Sequence, residues 1–184
     1  VAAAILFAVL PLEAQIRGFR QEQLKEWEFS KDGSNWETVA VPHSYNAEDG
    51  HSPYYYRGKA TYRCDLRIND LKKTHYIFFE GAAQAAVVKV NGEQVASHKG
   101  GYTPFSVNIT EALRKGVNRI EVICDNSEDV DMIPVSSDFN KNGGLHNPVW
   151  LLVMEDVYFS PEDYGIYRLR CETPEVTKKK VVTN

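Results

Sequence analysis

The chain has 184 residues, with 21 Lys and Arg against 25 Asp and Glu, a formal net charge of −4, and hydrophobic and charged fractions of 43% and 25%. That length holds one ordinary domain with residues left over, and the composition is that of a chain able to bury a core in water. The absence of a basic surplus, and of any RNA- or DNA-binding signature, argues against nucleic acid as a partner. Cys64, Cys124 and Cys171 form no CxxC pair. Cys64 and Cys124 fall on the apolar phase of their strands and read as buried free thiols, with a Cys64–Cys124 disulfide as the second reading; no metal site is expected from them.

Residues 1–10, VAAAILFAVL, are an apolar run too short to span a membrane, followed by a small-residue site at Glu13-Ala14-Gln15. The pattern reads as the apolar part of a secretory signal peptide covering residues 1–14, which makes the protein an exported one, periplasmic or extracellular, and the chain a piece of a longer one. A hydrophobic helix packed on the domain is the alternative. Trp27 and Phe29 alternate with Glu26, Glu28 and Ser30 as a first strand, and Lys31-Asp32-Gly33-Ser34 is a turn. Trp36 opens a second extended stretch running to Pro42, and both tryptophans are expected in the core. Pro42 then ends regular pairing, so His43, Ser44 and Asn46 are placed on a loop, with His43 also readable as a structural histidine.

The clearest period of two follows. Tyr56, Gly58, Ala60, Tyr62, Cys64 and Leu66 form one face of a strand, and Arg57, Lys59, Thr61, Arg63 and Asp65 the other. Asn69 to Lys73 is a polar turn, and Tyr76-Ile77-Phe78-Phe79 an inner strand apolar on both faces, ending at Glu80. Glu80 reads as a polar loop contact rather than a catalytic acid. Ala86 to Ser97 is a hairpin around Asn91-Gly92, a pair suited to a type I′ turn. Gly100-Gly101 breaks the strand, and Phe105, Val107 and Ile109 alternate along the next one. Thr110 is expected to cap one helical turn stopped by Gly116, after which Ile120, Val122 and Cys124 are in phase on a further strand. Asp125 to Asp131 is rich in oxygen donors but lacks the Gly and terminal Glu of an EF-hand loop, and reads as solvated. Residues 133–148 make the longest irregular stretch, and residues 149–154 a last apolar strand. Strands punctuated by turns, with no long amphipathic helix, predict an all-β sandwich.

Several unlike elements occur in one order: VPHSYN, YYYRGKATYR, VNG, His98, GGYTPF, NIT, GVNRIEV, DFNKNGGLHNPVWL and SPEDYG. This series resembles the N-terminal sugar-binding jelly roll of family 2 glycoside hydrolases, the family of β-galactosidases, β-glucuronidases and β-mannosidases, and most of all the β-galactosidase branch. The likeness covers nearly the whole chain after the first twenty or so residues. It implies a jelly-roll β-sandwich of the galactose-binding type over residues 15–160. Over residues 161–184 it implies a linker and the first strand of an immunoglobulin-like sandwich. It places the two catalytic glutamates on a TIM barrel elsewhere in the same polypeptide, so that no catalytic residue, cofactor or metal is expected in this stretch.

Within the resemblance, Asp138 takes the position of the carboxylate that enters the active site and holds sugar hydroxyls, a role that suits an acceptor of two charge-assisted hydrogen bonds. His43, Ser44 and Asn46 form the second substrate-side loop, with Ser44 where many members carry Asp. His146-Asn147-Pro148 replaces the usual Tyr-Arg-Asp. The parent would hydrolyse O-glycosidic bonds with retention, through a covalent glycosyl-enzyme. Its partners would be a carbohydrate substrate and the other domains of its own chain, with no membrane. A free-standing carbohydrate-binding module, which would bind glycans in isolation, is the alternative, and a structural adhesion domain a third. No G-x-S-x-G, H-E-x-x-H, P-loop or dinucleotide motif occurs.

Overall fold

A computed structural model describes residues 18–49, 55–131, 141–162, 175–176 and 181–182. The proposed signal segment 1–14 lies outside them, as do Cys171 and all of 161–184 but residues 161–162 and two short strands. Those are β11 (Glu175–Val176) and β12 (Val181–Val182), which pair antiparallel with each other.

Ten strands build two antiparallel sheets. They are β1 (Phe19–Gln23), β2 (Glu26–Ser30), β3 (Glu37–Ala40), β4 (Lys59–Ile68), β5 (His75–Phe79), β6 (Ala85–Val90), β7 (Glu93–Lys99), β8 (Phe105–Asn108), β9 (Gly116–Asp125) and β10 (Val149–Met154). The larger sheet runs β3-β2-β4-β9-β6-β7 and the smaller β1-β10-β5-β8. Two sheets closed face to face over one core are the all-β sandwich that the alternating strands predict.

The period of two accounts for the core. Trp27, Phe29, Tyr62, Val88, Ile120, Val122 and Cys124 from the large sheet meet Ile77, Phe79, Val107, Val149 and Leu151 from the small one. The ten-residue ladder of β4 on β9 sets the register of the large sheet. Cys64 and Cys124 are both free. Cys64 pairs with Ile120 and Cys124 with Ala60, so the thiols are not opposed, and burial pushes the Cys64 thiol up to about 12. β5 is apolar on both faces because the small sheet has a second apolar layer outside, where Phe19, Tyr76, Leu152 and Met154 pack with Tyr158. Tyr76 Oη donates to Glu162 at 2.9 Å. The outer face of the large sheet is charged instead, with Arg63 on Glu28 at 2.8 Å and Lys89 on Glu121 at 3.3 Å.

Turn chemistry follows the sequence with two departures and one omission. Asn91 has φ 53 and Gly92 φ 90, as a type I′ turn requires. The Asn91 side chain also reaches outward, donating to the Ala112 carbonyl and to the fully buried Asn118, each at 2.9 Å. Asp32 shapes the first turn by accepting from the backbone N–H groups of Ser34 and Asn35 at 2.7 and 2.8 Å. Thr110 is the first departure. The turn it opens is a 3-10 helix, Thr110–Ala112, and its hydroxyl accepts the His75 N–H at 3.0 Å rather than capping that turn. Trp36 is the second: Trp27 is 1% exposed, but Trp36 lies only half-buried on the outer face, where the Arg63 guanidinium stacks on its ring at 3.6 Å. Strand β1 has no counterpart among the predicted elements. Its sequence FRQEQ offers one apolar residue and exposes the middle three, as an edge strand does.

Burial holds His43, His75, His98 and His146 each below the ordinary histidine value of 6.5. The folded state therefore disfavours imidazolium, and the unfolded chain takes up protons first. The stability carried by these neutral rings is complete above about pH 6.5 and is lost as the pH falls below it. The urea midpoint of the chain is expected to drop between pH 7.5 and pH 5.5; a flat midpoint across that interval would contradict the burial of these rings.

Candidate functional site

Antiparallel pairing brings the loops 41–46, 80–84, 100–104 and 141–148 to one end of the sandwich. They are tied there by backbone hydrogen bonds. His43 N donates to Leu145 O at 2.7 Å, Ala83 N to Gly144 O at 2.8 Å, Gly100 N to Gln84 O at 2.9 Å and Glu80 N to Pro148 O at 3.1 Å. The two stretches that the family likeness singles out, PHSYN and the leg of the Asp138 loop, are thus direct neighbours.

Asp138 itself lies in 132–140, outside the described residues. What is described is the chain leaving it, 141–147, and how it is seated. Lys141 is buried, and its carbonyl oxygen accepts from Asn46 Nδ2 at 2.8 Å and from Asn126 Nδ2 at 3.2 Å. Gly143 N donates to Asn46 Oδ1 at 2.9 Å, and Tyr45 N to Gly143 O at 3.1 Å. Asn126 also accepts from Gly58 N at 2.8 Å, and Tyr45 Oη donates to Gly58 O at 2.8 Å. One amide side chain on each side therefore fastens the loop into a polar lattice with its donors and acceptors matched.

Two glycines make the seat possible. A Cβ on Gly143 would overlap the Tyr45 ring, and one on Gly144 would overlap Tyr62 Oη and stand 2.8 Å from the His43 carbonyl oxygen. Gly144 also has φ +102, where a side chain is strained in any case. The loop lies flat on an aromatic floor formed by Phe29, Tyr45 and Tyr62, with ring centroids of Phe29 6.0 Å from Tyr45 and 4.9 Å from Tyr62.

The predicted residues take different places in this arrangement. Asn46 is 3% exposed and its amide is engaged with the 141–143 leg. Ser44 Oγ donates to Asn46 Oδ1 at 2.9 Å. His43 is half-buried, edge-on to Phe29, and hydrogen-bonded through Nδ1 to Tyr62 Oη at 2.8 Å; burial lowers its pKa and so disfavours the imidazolium form. Three of the four candidates thus sit at the seam between the two loops, and the position of Asp138 is outside the described part. The Glu80 side chain makes a polar contact, but with strand β10 and not with a loop: Oε1 accepts the Trp150 indole N–H at 2.7 Å. His146, in the segment that departs from the family pattern, lies against Tyr102 with centroids 5.3 Å apart.

Tyr45, Asn126 and Gln84 were not singled out in the sequence. Tyr45 carries a readable signal as an aromatic inside a Pro-led loop, whereas Asn126 sits in an acid-rich run that reads as solvated and is fully buried by partners distant in sequence. Gln84 has no comparable signal. Several acids of the 125–131 run face cations, Lys99 reaching Asp129 at 2.9 Å and Asp131 at 3.4 Å, with Glu128 on Arg57. Among the described residues no group of three His, Cys, Asp or Glu is arranged to hold a metal, and no helix is long and apolar enough to cross a membrane.

Replacing Gly144 with Ala is expected to cost about 2 kcal/mol or more, because backbone strain and overlap with Tyr62 add. Chemical denaturation of the chain would measure it, and a loss under about 0.5 kcal/mol would mean that the loop is not seated on Tyr62.

Residues 35–133 match the family described as glycosyl hydrolase 2 galactose-binding domain-like. A putative β-glucuronidase of Formosa agariphila is 32% identical over 167 residues, which is 88% of this chain and 19% of that protein. A β-galactosidase of Thermoanaerobacter pseudethanolicus is 34% identical over 161 residues, 82% of this chain and 21% of that protein. Among solved structures, a putative β-galactosidase from Bacteroides fragilis superposes with a TM-score of 0.79 at 32% identity, over 88% of this chain and 27% of that one. The chain spans about a fifth of the length of the curated relatives it matches. With the sandwich, the matched residues and these relatives in agreement, the chain belongs to the galactose-binding-like N-terminal domains of family 2 glycosyl hydrolases.

Proposed function

We propose that this domain belongs to a β-glycosidase acting on galactosides or glucuronides, packs on the catalytic barrel of its own polypeptide, and closes one side of the sugar pocket. The reacting carboxylates would come from the barrel, and hydrolysis would retain configuration through a glycosyl-enzyme. Asp138 would accept hydrogen bonds from sugar hydroxyls. His43, Ser44 and Asn46 would shape the pocket wall, Asn46 chiefly by fixing the leg of the Asp138 loop. The observation that carries this reading is the seam itself. A rigid scaffold clamps the end of a long loop with buried amides and two glycines, as positioning a binding carboxylate requires. That both β-glucuronidases and β-galactosidases are among the relatives supports the substrate class.

In the full-length parent, Asp138→Ala is expected to lower kcat/KM on p-nitrophenyl β-galactoside or β-glucuronide by about a hundredfold, from the loss of charge-assisted bonds, with the melting temperature unchanged. Wild-type rates in that variant would remove Asp138 from the pocket. We also propose export, on the strength of the apolar run 1–10 and the small-residue site after it. Mass spectrometry of the mature protein should then find its N-terminus near Gln15; an intact leader on active protein from the cytoplasm would refute it.

A further inference from the structure

Tyr102 stands at the same end of the sandwich as the 141–148 leg, on the turn between β7 and β8. It is 56% exposed, while Gly101 before it is buried. The turn beneath it is locked. His98 Nε2 lies 3.1 Å from Gly100 O and 3.0 Å from Thr103 Oγ1, and Thr103 N donates to Gly100 O at 3.2 Å. The His98 ring stacks on Phe105 at 4.1 Å, which in turn stacks on Phe79 at 4.5 Å. On the other side, a Cβ at Gly101 would come 3.2 Å from the Gln84 backbone nitrogen, so the turn is pressed onto the 80–84 loop.

This rigidity delivers one aromatic ring into the open. Among the described residues the ring partner of Tyr102 is His146, tilted 60° to it on the chain leaving Asp138, and that edge contact leaves a ring face free. An exposed tyrosine adds little to the stability of its own domain. A side chain with two torsions on a locked turn loses little entropy when something binds it, and its π face suits the apolar C–H face of a sugar ring.

We infer that Tyr102 is a sugar-stacking residue of the parent enzyme, its ring forming a wall against which a pyranose of the bound glycoside lies, held in place by His146 and the His98-Thr103 lock. The inference rests on the glycosidase reading above. The competing role for an exposed aromatic at this end is a contact with another domain of the same polypeptide.

Steady-state kinetics and melting of the full-length parent separate the two, using p-nitrophenyl β-galactoside, p-nitrophenyl β-glucuronide and the corresponding β-linked disaccharides. Tyr102→Ala should raise KM about tenfold on at least one of these, with kcat within about twofold and the melting temperature unchanged. Tyr102→Trp, which keeps a π face, should restore KM. An unchanged KM on every glycoside hydrolysed, with or without a fall in melting temperature, overturns the inference and assigns Tyr102 elsewhere. A wild-type parent that hydrolyses none of these compounds would instead refute the glycosidase reading, a result visible before any variant is made.

Discussion

The arrangement depends on how closely a backbone can approach two tyrosine rings. Residues 143 and 144 lie on Tyr45 and Tyr62 at a separation that admits hydrogen atoms and no methyl group. That contact lets Asn46 and Asn126 reach the Lys141 carbonyl from two directions, and lets His43 and Tyr45 pair their backbones with 143 and 145. Buried amides of this kind are stabilising only when every donor finds its acceptor, so the lattice has one geometry, and a displaced loop would leave several polar groups unpaired at once. The glycines and the asparagines thus work as a unit: the first allow proximity and the second make departure costly.

The sandwich supports this seam by dividing its surfaces. The inner faces of both sheets form the main core, and the outside of the large sheet is given to ion pairs such as Glu28 with Arg63. The outside of the small sheet is apolar, with Tyr76, Leu152 and Met154 under Tyr158. An antiparallel sandwich also sorts its connections by end. The turns at 69–74, 91–92 and 109–115 go to one pole, and the loops carrying His43, Gln84, Tyr102 and His146 to the other. Placement of His43, Ser44 and Asn46 beside the 141–148 leg is therefore a consequence of topology, and the hydrogen bonds among those loops refine it.

The strands were legible wherever one face met the core and the other did not. The alternation along β4 and β9, the Asn-Gly turn and the double-sided apolarity of β5 all state their environment directly, because side-chain period and burial are the same fact in a sheet. The likeness in PHSYN and DFNKNGGL pointed to the two loops that the structure joins. Legibility ended where a residue's role depends on a distant partner. FRQEQ becomes a strand because β10 offers it a ladder, Trp36 leaves the core because Arg63 crosses over it, and Thr110 bonds to β5 instead of capping its own turn. The same holds for Asn126, whose neighbours in sequence are acids and whose partners in space are Gly58 and Lys141.

Chemistry at this pole has the character of a mould more than of a reagent. Glu80, the carboxylate at the end of β5, accepts the Trp150 indole; the His43 imidazole, disfavoured in its charged form by burial, is bonded to Tyr62; the hydroxyl of Ser44 is turned to Asn46. Groups so engaged do not transfer protons to a substrate without first breaking the lattice that holds the loops. Asn46, Ser44 and Asn126, committed to one another and to the backbone of the 141–143 leg, hold that leg in one place at the expense of their own reactivity. That exchange suits the proposed role, in which this domain shapes a pocket and another supplies the bond-breaking groups.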